Sequence, residues 1–165
     1  MWLNLIMAGC LSCSPAIQVA APEKAVDSSR GVTLTETQPE ARIQLPSNTR
    51  SSPAAVLEVP VVRISNPDKM SFSIFVYLEW CRPGEGPARN EKILVGNFTV
   101  FPPDRTGRYT VRTSTGFERL KTMGADLPRD QVVVLLEMKR TNPNKPWSTV
   151  VVEIAPLDWR SDSLP

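Results

Sequence analysis

Residues 92–111, KILVGNFTVFPPDRTGRYTV, restrict local structure more than any other part of the chain. Ile93, Leu94 and Val95 open an apolar, β-branched run that residues 98–101 continue, and Pro102 and Pro103 remove two backbone donors and end it. Residues 104–107 supply turn chemistry, because Asp can bond its own backbone and Gly can take a positive φ. Residues 109–113 alternate and return as a second strand, so a central hairpin is expected, with the rest of the chain packed on it. Gly96 in mid-strand marks a bulge, a neighbouring backbone at close range, or a merely tolerated glycine.

On either side the same period recurs. In residues 72–80, FSIFVYLEW, the alternation puts Phe72, Ile74, Val76, Leu78 and Trp80 on one face, with Ser73, Phe75, Tyr77 and Glu79 on the other, the pattern of a central strand. Residues 56–64 are β-rich but carry Pro60, which predicts an edge strand or a bulge. Residues 131–138, QVVVLLEM, have few polar interruptions and read as a strand buried on both faces, and residues 149–154, TVVVEI, form the last strong strand. Between them, residues 116–124 change to helical spacing, with Thr115 as N-cap, Glu118 in the first turn and Gly124 in the left-handed cap position. Leu157, Trp159 and the polar end that follows are expected to fray. Short strands with Pro and Gly turns between them predict a mainly β fold, an antiparallel β-sandwich of about six to seven strands with one short helix, preceded by a disordered N-terminal arm.

Four segments are expected: a signal-like stretch over 1–10, a disordered tether rich in Pro, Ser and Thr over 11–54, a β-sandwich domain over 55–160, and a tail over 161–165. Within the tether, residues 32–34 and 43–45 alternate briefly and could add as edge strands. The apolar run over 2–8 ends in Met7-Ala8-Gly9-Cys10, which has the form of a bacterial lipobox, although no Lys or Arg precedes Lys24. If Cys10 is acylated, the chain sits at the cell envelope, periplasmic or on the outer surface, and meets the membrane through a lipid anchor only. If the motif is accidental, the location is cytoplasmic.

Charge and composition narrow the chemistry. Lys and Arg number 19 against 17 Asp and Glu, which leaves no electrostatic footprint for nucleic acid. The chain contains no histidine, so Ser-His-Asp and Cys-His hydrolases, His-ligated metal centres and paired-copper oxidases are ruled out together. Cys10, Cys13 and Cys81 are too few and too scattered for a zinc or iron-sulfur set, and no cofactor is expected.

In the order of their motifs, residues 72–156 resemble the small β-sandwich domain at the C-terminal end of plant polyphenol oxidases and related tyrosinases. Phe72-Ser73-Ile74-Phe75-Val76-Tyr77 matches that family's Phe-x-Val-Tyr strand, and Val95-Gly96-Asn97-Phe98-Thr99-Val100-Phe101-Pro102 its Gly-x-Phe strand ending in proline. LKTMGA over 120–125 corresponds to its small helix, residues 132–136 to its buried strand and 150–154 to its closing strand. The resemblance implies a noncatalytic domain that shields the entrance to a copper site held elsewhere. This chain lacks the copper domain, and Lys92-Ile93-Leu94 replace the family's Glu-x-Ala before the glycine strand.

Candidate residues carry competing readings. Cys81 beside Arg82 is either a reactive thiol or a buried structural cysteine. Arg105, Arg108 and Arg112 either form a patch for an anion or alternate on a solvated strand face. Asp126 and Asp130 offer oxygens to calcium but fall short of its usual ligand number. Asn97-Phe98-Thr99 fits a glycosylation sequon. Trp147 and Trp159, with Tyr109, either stack on sugars or close the core. Two functions follow: a nonenzymatic, envelope-tethered domain that binds another exported protein, an oxidase-like enzyme among the candidates, or a carbohydrate-binding module. An enzyme working through carboxylates alone has no paired signal beyond scattered Asp and Glu.

Overall fold

In chain order the elements are β1 (Val26–Asp27), β2 (Val32–Thr35), β3 (Glu40–Gln44), β4 (Ala55–Ser65), β5 (Phe72–Cys81), β6 (Asn90–Thr99), β7 (Gly107–Arg112), α1 (Ser114–Thr122), β8 (Val132–Arg140), β9 (Val151–Ile154) and β10 (Asp158–Ser161). They come from a computed structural model that describes residues 25–27, 29–45, 55–81, 90–126, 132–142, 144 and 149–161. One sheet has the order β1-β3-β8-β5-β6. In the other, β7 pairs with one edge of β4, while β10 and β9 pair in turn with its other edge and β2 pairs with β9. All pairings are antiparallel except β1 with β3.

The alternation of β5 is realised as read. Phe72, Ile74, Val76, Leu78 and Trp80 all point inward and are almost fully buried, each worth about 1.5–3 kcal/mol relative to exposure. Across the interior they meet the inward side chains of the second sheet, Leu57, Val59 and Val61 from β4 and Val152 and Ile154 from β9, in one hydrophobic core. β8 is central too, paired with β3 and β5, and its outward Leu135 is as buried as its inward Val134 and Leu136.

Pro60 does not lie on an edge strand. It sits in β4 between the run paired with β10 (Ala55 to Glu58) and the run paired with β9, next to a register shift between Val61 and Arg63. Its carbonyl accepts from Ala155 N at 2.9 Å, so its missing donor faces the short connection between β9 and β10, where the ladder is already interrupted.

The expected central hairpin is not formed. β6 pairs with β5 in one sheet and β7 with β4 in the other, and residues 100–106 cross between them. Two prolines, Pro102 and Pro103, stand in that connection where a hairpin needs a tight turn. Asn66 ties the crossing down: its Nδ2 donates to the carbonyls of Met70 and Pro103, both at 2.9 Å, and its Oδ1 accepts from Met70 N at 2.9 Å.

The tether drawn over residues 11–54 is also corrected. Residues 1–24 and 46–54 lie outside the described residues, but β1, β2 and β3 are strands of the sandwich; the two brief alternations provide its inward Val32, Leu34, Ile43 and Leu45, and β3 adds Ala41. These segments are too short to declare themselves; burial against β9 and β8 stabilises them. The expected frayed end is likewise ordered through Ser161, because β10 finds a partner in β4.

Helix α1 begins earlier than its spacing suggests. Thr113, not Thr115, is the N-cap, no side chain caps it, and Glu118 falls beyond the first turn. Its end matches: Gly124 has φ +92°, Gly124 N donates to Lys121 O at 2.9 Å and Ala125 N to Leu120 O at 3.0 Å, the paired bonds of a Schellman cap.

Candidate functional site

The side of the sandwich where β6 and β7 run along different sheets is closed by α1. Phe117 and Leu120 enter the core, and Gly116 lets the helix approach Val95 so closely that a Cβ there would lie 2.2 Å from Val95 Cγ1. Val95 is the extra residue of a bulge, since Leu94 opposes Tyr77 and Gly96 opposes Val76. Gly96 in turn faces Val111 of β7, whose Cγ1 would lie 2.7 Å from an added Cβ. The two glycines are therefore where β6 is brought against α1 and β7.

Before that bulge the outer edge of β6 has no strand partner among the described residues, where β6 pairs with β5 alone. In an antiparallel pair alternate residues turn their N–H and C=O away from the partner strand, so part of the backbone over 92–94 faces outward. Beside it runs a second stripe of α1, Arg119, Thr122 and Met123, spaced i, i+3 and i+4. Together Lys92, Ile93, Leu94, Arg119, Thr122 and Met123 line a groove of 360 Å³. Leu94 is 48% exposed, an apolar side chain left on the rim.

Next to the groove, the outward face of the first sheet carries an aromatic and charged cluster. Phe75 and Tyr77 lie with ring centroids 6.4 Å apart, Lys92 Nζ is 4.0 Å from the centre of the Tyr77 ring, and Lys139 Nζ is 4.9 Å from that of Phe75. Both ammonium groups also reach Glu137, at 3.2 and 3.1 Å. Burial pushes the Glu137 carboxyl up, but hydrogen bonds from Lys139 and Lys92 outweigh it and hold the group below its ordinary range. The same bond to Glu137 raises Lys139. Further along, Arg42 pairs with the buried Glu79 at 2.9 Å.

The residues singled out from sequence do not converge. Arg108 and Arg112 project from the outer face of the second sheet, where Arg108 and Arg160 both bind the carboxylate of Glu58. Arg105 lies in the crossing connection, on the other side of β7 from them. Tyr109 points the opposite way from Arg108 and stacks on Phe98 at 4.2 Å with an interplanar angle of 10°; burial raises its phenol and the Arg105 charge only partly offsets this. Trp159 faces inward, tilted against Phe117 at 6.3 Å, with its indole N–H buried and without a partner among the described residues. Cys81 ends β5 opposite Asn90. Asp126 is exposed, while Cys10, Trp147 and Asp130 lie outside the described residues. Among the described residues no group of three or more His, Cys, Asp or Glu is placed to hold a metal ion, and no helix is long and apolar enough to cross a membrane.

Neither the groove nor the aromatic cluster was singled out from sequence. A usable signal existed in the outward positions of β5, where Phe75 and Tyr77 stand instead of polar residues. For Leu94 and Met123 no local signal existed, because the groove is made by residues far apart in the chain. No family model matches the chain, and no curated protein matches it.

Proposed function

We propose that this chain is a noncatalytic docking module, a β-sandwich that holds an extended segment of another polypeptide against the free edge of β6. The observation that carries this reading is the open strand edge over 92–94 beside the 119/122/123 stripe of α1, with a groove of 360 Å³ between them. A segment laid there adds a strand to the sheet: its main chain bonds the outward N–H and C=O groups, and Leu94 and Met123 receive an apolar side chain. The absence of histidine and the resemblance to a domain that covers another protein's surface support a binding role over a catalytic one. In this proposal the partner is an exported protein, an oxidase-like enzyme among the candidates, and Cys10 anchors the module at the envelope.

A random peptide library panned on the full-length chain tests the reading. Selected peptides, measured by fluorescence anisotropy, are expected to weaken at least about tenfold, or ~1.4 kcal/mol, on Thr122→Trp, which fills the groove, and to bind Arg112→Ala like wild type. A library that yields no binder, or binders indifferent to Thr122→Trp in a variant with unchanged circular dichroism, overturns it.

A further inference from the structure

We infer that the segment docked beside β6 is acidic: a short extended stretch of a different protein in which carboxylates are interspersed with apolar residues. This rests on the docking reading above. Among the described residues, the charged side chains that line the groove are Lys92 and Arg119, both cationic, and no carboxylate lines it. Lys92 is held in place by Glu137 and the Tyr77 ring, but an ammonium has three donors and Glu137 takes one. Arg119 is exposed in the last turn of α1 and forms no ion pair among the described residues, so its planar fork of donors is available to a carboxylate. Glu91 and Glu118 are neighbours in sequence but do not line the groove.

The positive lining also selects among occupants. A second copy pairing β6 to β6 brings Lys92 and Arg119 of one chain against those of the other, and like charges across an interface disfavour that arrangement. The chain's own residues 1–24 carry a single carboxylate, Glu23, next to Lys24, so they offer no acidic stretch to the positive lining. An acidic segment of another protein meets neither obstacle. Added strands show alternate side chains to opposite faces, so every second residue comes over the Lys92 and Leu94 side while the residues between face α1.

A combinatorial library of short peptides in which every position can be Val, Leu, Ile, Glu, Gln or Lys, panned on the full-length chain, reads this directly. Glu is expected to be enriched over Gln and Lys. The selected peptide is expected to lose at least about tenfold in affinity on Arg119→Glu, to weaken with added salt, and to recover on Arg119→Glu when its Glu positions are replaced by Lys. Thr122→Trp separates the two levels of inference. Binding that Thr122→Trp abolishes, with Gln or Lys peptides as good as Glu, overturns the acidic preference and leaves docking intact. Binding that Thr122→Trp does not touch overturns docking itself. A dimer seen by light scattering that Thr122→Trp dissociates overturns the choice of a different protein as occupant.

Discussion

Gly116→Ala places two ordinary effects in opposition, and the structure decides the sign. Replacing a helical Gly by Ala favours folding by up to about 1 kcal/mol through backbone entropy. Here the added Cβ lies 2.2 Å from Val95 Cγ1 and 3.0 Å from Leu78 Cδ1, so something has to move. Leu78 can turn a terminal methyl. Val95 cannot give as easily, because a β-branched side chain is stiff at χ1 and its backbone is caught in the β6 bulge between paired residues. Over-packing of this kind costs about 1–3 kcal/mol, which against the full backbone gain leaves a net destabilisation of about 0–2 kcal/mol. Urea unfolding followed by circular dichroism is expected to show a lower midpoint with unchanged m, and thermal unfolding a fall of about 2–4 °C per kcal/mol. Adding Val95→Ala removes the clashing methyl, so the double variant is expected to be more stable than the sum of the singles by at least about 0.5 kcal/mol. A Gly116→Ala variant more stable than wild type, or strict additivity in the cycle, refutes the close helix-to-strand contact.

Three further outcomes follow from other parts of the fold. Asn66→Ala removes three hydrogen bonds, two within the 66–70 turn and one that joins it to the crossing connection, and is expected to destabilise by about 2–3 kcal/mol and to speed hydrogen exchange at the Met70 amide; an unchanged urea midpoint refutes the brace. Glu137, depressed below the ordinary carboxylate pKa of 4.5, contributes stability that is present above that value and lost as pH falls through the lowered one, while Lys139, raised above 10.5, contributes stability present below that value and lost as pH rises through the raised one. The stability gap between wild type and Glu137→Gln is therefore expected to be widest between those limits and to close in acid, and a gap that grows below pH 4.5 contradicts the assignment. Mass spectrometry of the protein from native membranes is expected to find a mature chain beginning at acylated Cys10; an unmodified Met1 in the soluble fraction removes the envelope from the proposal.

Much of the first sheet was legible because burial on one face writes a period of two into the sequence. Phe72 through Trp80 declared both that β5 is a strand and which side faces the core, and the few polar interruptions of β8 declared a strand buried on both faces, as its outward Leu135 is. Gly124 was legible for a similar reason, since a helix end in the left-handed region favours glycine whatever surrounds it. Gly96 was legible only in part: a bulge was one of three readings its place in the strand left open, the extra residue is its neighbour Val95, and what lies close to Gly96 is the Val111 side chain from the other sheet.

What the sequence by itself determined about this protein is therefore local: which segments of β5, β6, β7 and β8 are extended, which face β5 buries, where α1 stops, and that histidine chemistry is absent. Tertiary structure alone decided the partners. Residues 92–111 carry the same alternation whether they close a hairpin or, as here, send β6 and β7 to different sheets, because a strand's period records that one face is buried and not what buries it. The short strands β2, β3 and β10 exist because long-range pairing and core contacts offset the entropy of ordering segments too brief to hold a strand alone. The groove belongs to the same class: Leu94 and Met123 become neighbours only when α1 closes the side of the sandwich that the crossing leaves open.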